Sequence, residues 1–218
     1  MPLKVQRRPR LPPLPRGRHG LSAEAVRSSQ RERLLRAMLD LVARQGYART
    51  TVPEVVTAAR VSRNAFYEFF ADKEECFLAL CAEEAVQLSE RVQAASAQCP
   101  SWAEALRVGL RTTLAWWQER PQFSRAYFLE LPTAGQRAVA QRLRAYRPFE
   151  QMFCFIAAWA RREQPRLPAL RSRIPHLLIV AITELIAADV RAGRVQQLLD
   201  LEDDLNFAAL RLLADGAG

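Results

Sequence analysis

Apolar residues recur along most of this chain at intervals of three and four, the period of an amphipathic helix. The pattern predicts a short helical lead-in over residues 22–28. A longer helix then opens at Ser29 and Glu32, which have the spacing of a capping box. Leu34, Leu35, Met38, Leu41 and Val42 form its apolar stripe, and Gly46 is suited to end it. Thr51 and Glu54 open a shorter helix with Val52, Val55, Val56 and Ala59 on one face. Arg60 and Val61 make a turn. Ser62 can cap the next helix, because its hydroxyl can accept a hydrogen bond from a free first-turn N–H. Phe66 and Phe70 lie four apart on that helix's buried face, and Arg63, Asn64, Tyr67 and Glu68 fall on its other faces. Asp72, with Glu75 three residues later, opens a long helix from Lys73 to about residue 95.

The helical period continues to the C-terminus. Ser101 and Glu104 form another capping box, and the helix they open runs to about Glu119 with Trp102, Leu106, Gly109, Leu110, Leu114 and Trp117 on its apolar face. Arg120-Pro121 interrupts it. A short helix with Phe123, Tyr127, Phe128 and Leu131 follows, then a turn over residues 132–135. Residues 134–162 read as a long helix interrupted by Pro148, where an internal proline kinks or splits the element. Beyond it come Phe149, Met152, Phe153, Phe155, Ile156 and Trp159. A helix over residues 170–192 carries Ile174, Leu177, Leu178, Ala181, Ile182, Leu185 and Ala188. A last helix begins near residues 200–203, with Leu205, Ala208 and Leu212. The whole reads as all-α.

Composition agrees with that reading. Half of the 218 residues are hydrophobic and glycine is scarce, a balance that favours helices. The net charge of +9 is concentrated at one end: residues 1–20 carry six basic side chains and no acid, which leaves 26 basic against 23 acidic residues in the rest. The Pro/Arg-rich segment over residues 1–27 is expected to be a flexible basic arm, suited either to phosphate or minor-groove contact or to no role beyond solvation. The longest apolar run near the C-terminus, residues 177–182, is far too short to span a bilayer. No signal peptide is recognisable, so a cytoplasmic protein with no membrane partner is expected. Cys76, Cys81, Cys99 and Cys154 form no C-x-x-C pair, and the two histidines, His19 and His176, are far apart. The expectation is therefore reduced thiols and no metal or cofactor. No catalytic triad and no Gly-rich phosphate loop is visible, so an enzyme reading lacks support.

The chemistry is concentrated between Thr50 and Lys73. Two short helices joined by a tight turn, the second offering Arg63 and Asn64 in its first turn, suit a DNA major groove. Arginine can bond bidentately to guanine and asparagine to adenine, and tyrosine and lysine can hold phosphates. A helical hairpin with polar outer faces would have the same pattern.

Residues 33–80 resemble the N-terminal domain of the TetR family of transcriptional regulators. The resemblance rests on a helix ending in R-Q-G-Y, then T-T-V, V-S-R-N-A-F-Y-E-F-F and D-K-E, with V-S-x-x-x-[LF]-Y-x-x-F-x-x-K spanning Val61 to Lys73. It covers about a quarter of the chain. It implies a helix-turn-helix DNA-binding domain over residues 28–76, followed by a helical ligand-binding and dimerisation domain over residues 77–218. Arg63 and Asn64 are then candidates for base reading, and Thr51, Ser62, Tyr67 and Lys73 for phosphate contacts. Two features depart from the family pattern. Arg60 stands where the turn usually has glycine, and Pro53 where some relatives carry a basic base-reading residue.

The resemblance further implies a homodimeric repressor released from a palindromic double-stranded DNA operator by a hydrophobic small molecule. Trp102, Leu106, Leu110, Trp117, Phe128, Phe149 and Phe153 are the candidates for lining its pocket. Leu178, Ala181, Ile182, Leu185, Leu205 and Leu212 are the candidates for the dimer interface, with Ile179, Val180 and Ile186 widening the apolar surface. A DNA-binding architectural protein without a ligand is the first alternative, and an enzyme using the aromatic C-terminal pocket the second.

Overall fold

The computed structural model describes residues 22–214, which contain helices and no strand. The basic arm expected at the N-terminus lies, up to residue 21, outside the described residues. Among the described residues no helix is long and apolar enough to cross a membrane.

The first helix, α1, is Ala23–Gln45. The lead-in and the helix expected after Ser29 are thus one element. Ser22 caps it, accepting from the Ala25 N–H at 3.1 Å, and Ser29 is an interior residue whose carbonyl accepts from Arg33 Nε. The 23–28 stretch has ordinary helix formers and nothing to stop it, so the helix extends back to the first good cap. At its other end Gly46 takes φ +84°, as its position after the last turn requires.

Helices α2 (Val52–Ala59) and α3 (Arg63–Phe69) form the helix-turn-helix. Arg60 between them is left-handed, at φ 55° and ψ 45°, a conformation that costs a non-glycine residue about 1 kcal/mol. The turn recovers hydrogen bonds in exchange: the Arg60 N–H reaches the Thr57 carbonyl and the Val61 N–H reaches Val56.

The long helix α4 is Lys73–Ser96, capped by Asp72 through the Glu75 N–H at 2.6 Å. It passes from the head into the second half without interruption. There it packs on α5 (Trp102–Glu119), and Gly109 permits the approach: a Cβ at that position would lie 3.3 Å from Ser96 Oγ and 3.5 Å from Val92 Cγ1. A short α6 (Pro121–Arg125) leads into a π-helical turn at Ala126–Glu130 and a 3-10 turn at Leu131–Thr133. Helix α7 is Gln136–Glu163. Pro148 withholds the N–H that would reach the Arg144 carbonyl, yet α7 is not split there.

Helix α8 is Ile174–Arg191, four residues shorter at its start than its apolar pattern suggests, with Pro175 in the first turn where its missing N–H costs nothing. A 3-10 segment, Val195–Leu201, precedes α9, Glu202–Ala214. The buried Glu202 carboxylate fixes that last helix to α5, accepting from Arg107 Nε at 3.0 Å and Arg111 at 2.6 Å.

Candidate nucleic-acid interface and effector cavity

Helix α3 divides cleanly by face. Ala65, Phe66 and the following Phe70 are buried, and Ser62, Arg63, Asn64, Tyr67 and Glu68 are exposed. The Ser62 hydroxyl accepts from the Ala65 N–H at 3.1 Å, which starts the helix at Arg63 and leaves Arg63 and Asn64 in its first turn. Tyr67 is 47% exposed, and the Arg63 guanidinium lies 5.7 Å from its ring centre. Thr51 is exposed at the start of α2. Its N–H and hydroxyl both donate to the Glu54 carboxylate, at 2.9 and 2.8 Å, and Gln45 Nε2 donates to the same group. The Thr51 hydroxyl, then Gln45, hold the Glu54 carboxyl below the usual carboxylate range.

Lys73 has a different occupation from the phosphate contact expected of it. Its ammonium donates to the backbone carbonyls of Tyr47 (3.0 Å), Thr50 (3.0 Å) and Ala48 (3.3 Å). An ammonium has three N–H donors, and all three are spent. The group also sits 4.4 Å from the centre of the Tyr47 ring, which stacks on Phe77. Thr50, fully buried, adds a hydroxyl bond to the Gly46 carbonyl at 2.9 Å. Lys73 thus pins the loop between α1 and α2, and the departure from expectation arises because those carbonyls converge only on folding.

The second half grips the same loop. Glu130, the last residue of the π turn, accepts from the Tyr47 N–H at 2.8 Å. Its carboxylate fills the space beside Gly46, where a Cβ would lie 3.2 Å from Oε2. Arg137, in the first turn of α7, donates to Asp72 at 2.8 Å and Glu74 at 3.2 Å. Burial raises the Asp72 carboxyl, but the Glu75 N–H and Arg137 outweigh it and hold the group below its ordinary value. Burial, with Glu74 and Asp72 adding to it, pushes the Tyr47 phenol up to about 12.

An apolar cavity of about 40 Å³ lies between α4, α5, α7 and α8. Four of the expected residues line it: Leu106, Leu110, Phe149 and Phe153. Trp102, Trp117 and Phe128 do not. Trp102 is buried at the start of α5, and Trp117 is consumed in an aromatic cluster, 4.7 Å from Phe128 and 5.0 Å from Tyr127. Aromatics so placed fill space instead of bounding it. Residues not singled out as lining complete the wall, among them Gly109, Thr113, Met152, Ile179 and Ile182. Gly109, the smallest residue on the apolar face of α5, was the available signal.

The expected dimer residues also divide. Leu178, Ile182 and Leu205 are buried within the chain, as are Ile179 and Ile186, because α7 and the π turn pack over that side of α8. Leu212 is half-buried. Ala181 and Leu185 are exposed, and they are joined by Leu177, Val180 and, on α9, Phe207, which is 63% exposed.

A head that buries the inner face of a helix-turn-helix and presents Arg63, Asn64 and Tyr67 outward has the architecture of a DNA-binding domain. Residues 34–80 match the family model described as "Bacterial regulatory proteins, tetR family". The match covers the DNA-binding head, about a fifth of the chain. A curated relative in Bacillus subtilis (strain 168), the uncharacterized HTH-type transcriptional regulator YerO, is 33% identical over 54 residues; the match spans 25% of this chain and 19% of that protein. The fold extends over both halves of solved structures. The fatty acid degradation regulator FadR from Bacillus halodurans aligns with a TM-score of 0.73 at 14% identity, covering 82% of this chain and 97% of that one. FadR from Bacillus subtilis, solved in complex with stearoyl-CoA, aligns with a TM-score of 0.74 at 17% identity, covering 86% and 99%.

Proposed function

We propose that this protein is a homodimeric, ligand-responsive transcriptional repressor, with residues 28–76 binding DNA and residues 77–218 sensing an apolar molecule and pairing with a second copy. Arg63 and Asn64 read bases in the major groove. Ser62 and Tyr67 meet phosphates, the Thr51 hydroxyl being engaged by Glu54, and the basic segment that precedes α1 adds further contacts. Two such heads related by a two-fold axis would read a palindromic operator with half-sites about 34–36 Å apart. The exposed strip of Leu177, Val180, Ala181, Leu185 and Phe207 pairs the subunits. The protein acts in the cytoplasm and is not an enzyme.

The observation that carries the reading is the junction. The helix that carries Phe149, Met152, Phe153 and Ile156 into the cavity wall also holds Asp72 and Glu74 through Arg137. An effector that enlarges the cavity moves α7 against the head. It then weakens DNA binding to the extent that it prefers the moved state. The stearoyl-CoA held by the Bacillus subtilis FadR, which shares the fold, supports an acyl chain as the kind of apolar group to try. The test begins with operator selection from a random DNA pool, followed by mobility-shift titration of the selected site with and without fatty acids and acyl-CoA thioesters. A symmetric site released by one of these compounds is expected. Tight binding to a symmetric site that no apolar compound alters would instead support a ligand-independent architectural protein.

A further inference from the structure

Helix α3 is seven residues long, too short to hold its own geometry without neighbours. Ala65, Phe66 and the following Phe70 are buried and fix its inner face. Its C-terminal end is less well provided. The last turn carries no basic residue, and Phe70 follows it in extended conformation, at φ −141° and ψ 130°, where many helices have a glycine.

What meets that end is the start of α1. Arg27 and Arg31 lie four residues apart, on one face of that helix. The Arg27 guanidinium carbon is 5.3 Å from the centre of the Phe69 ring, and the Arg31 guanidinium carbon is 5.7 Å from the centre of the Phe70 ring. Each arginine also meets a carboxylate. Arg27 Nη1 is 3.7 Å from Oε2 of Glu68, the one acid of α3. Arg31 pairs with Glu83 on α4. Two side chains of α1 therefore span the end of α3, one returning to α3 itself and the other tying it to α4. Both arginines precede residue 34, where the family match begins.

The chemistry suits the place. Both cations stand at a helix C-terminus, the end whose partial charge favours them. A guanidinium can set its flat face toward an aromatic ring while its edge bonds a carboxylate. The Arg27 charge also offsets Glu68, an exposed carboxylate that would otherwise repel DNA phosphates. One exposed ion pair contributes little, but here each ordered side chain makes two contacts, so its lost rotamer freedom is shared between them.

We infer that Arg27 and Arg31 are positioning residues for DNA reading: they clamp the C-terminal end of α3 to α1 and α4, and so set the angle at which Arg63 and Asn64 are presented. This rests on the proposed DNA-binding function and adds residues that act without touching DNA. An α3 free to tilt would still meet phosphates but would lose the register of its base contacts. The clamp therefore governs preference for the operator over other DNA, more than affinity for DNA in general.

The test compares the full wild-type chain with Arg27→Met/Arg31→Met, which keeps two unbranched apolar stems and removes both guanidiniums. Affinities for the selected operator and for a random-sequence duplex are measured by fluorescence anisotropy over a salt series, well below the melting temperature. The double variant should lose about fivefold or more of its preference for the operator, with affinity for the random duplex and the salt slope unchanged. Glu83→Gln reaches the clamp from α4 and leaves α1 intact, so it decides the matter even if the double variant fails to fold. It should lower the preference about twofold alone and by nothing further in the double variant. An unchanged preference in either variant, or additive effects of the two, would overturn the clamp. So would both duplexes weakened alike with a slope reduced by about one or two ions, since the arginines would then be phosphate contacts. A wild-type chain that selects no DNA sequence would instead remove the reading on which the clamp rests.

Discussion

The head and the second half of this molecule dispose of their side chains in opposite ways. In the head, the polar groups near the loop between α1 and α2 are committed to one another. Lys73 holds three carbonyls, Glu54 takes two bonds from Thr51, Asp72 caps α4, and Thr50 is satisfied while fully buried. What remains uncommitted there is the outward face of α3. In the second half what is left open is apolar: a cavity between four helices and a strip of exposed leucine, valine and phenylalanine. A rigid reader needs its geometry fixed before DNA arrives. A sensor needs surfaces that something else completes.

The largest effect should come from the exposed strip. Leu185→Arg combined with Val180→Asp buries two unpaired charges if that face is an interface, and the dimer should be lost outright. Light scattering that still reports a dimer would move the interface elsewhere and leave the strip unexplained. In the head, Arg63→Ala should weaken binding to the selected operator by about 1–3 kcal/mol and relax preference at one base position, with stability unchanged. A loss spread evenly over all sequences would make Arg63 a phosphate contact.

Lys73 separates positioning from binding. Lys73→Met leaves three carbonyls without their donor, so the protein should lose about 1–3 kcal/mol of stability in chemical denaturation. The salt dependence of DNA affinity should keep its slope, because no phosphate contact is removed. A slope reduced by about one ion, with stability unaltered, would return Lys73 to the DNA backbone.

A smaller effect is expected with acid. The Asp72 and Glu54 carboxyls are both held below their ordinary values in the folded chain. The stability they contribute is therefore present above the unfolded value, about 4, and lost as pH falls through the lower folded values. Asp72→Asn should flatten that part of the stability-versus-pH curve. An unchanged curve would mean that the Asp72 contacts contribute nothing to the folded head.

These differences also explain what could be read before the structure. The caps at Thr51, Ser62, Asp72 and Ser101 are relations over three residues, and all four open helices in the fold. The left-handed turn at Arg60 was signalled only by the resemblance, in which glycine usually stands at that place. Ser29 has the same local signature but sits inside α1, since Ser22 caps the helix earlier. The cavity depends on how four helices meet, a long-range property. Trp117 and Phe128 fill one another's space, and the opening falls among Gly109, Thr113, Ile179 and Ile182. Helix α8 is apolar around much of its circumference, so periodicity could not decide which strip α7 covers and which remains outside.

The proposed coupling between the cavity and the DNA-reading face runs through Glu130 and Arg137. Operator affinity should be measured by mobility shift with and without a saturating straight-chain acid, in the wild-type chain and in Glu130→Ala/Arg137→Ala. The acid should weaken wild-type DNA binding by about tenfold or more, and the double variant should bind the acid but respond much less. Wild-type affinity that is unchanged by an acid shown to be bound would contradict it.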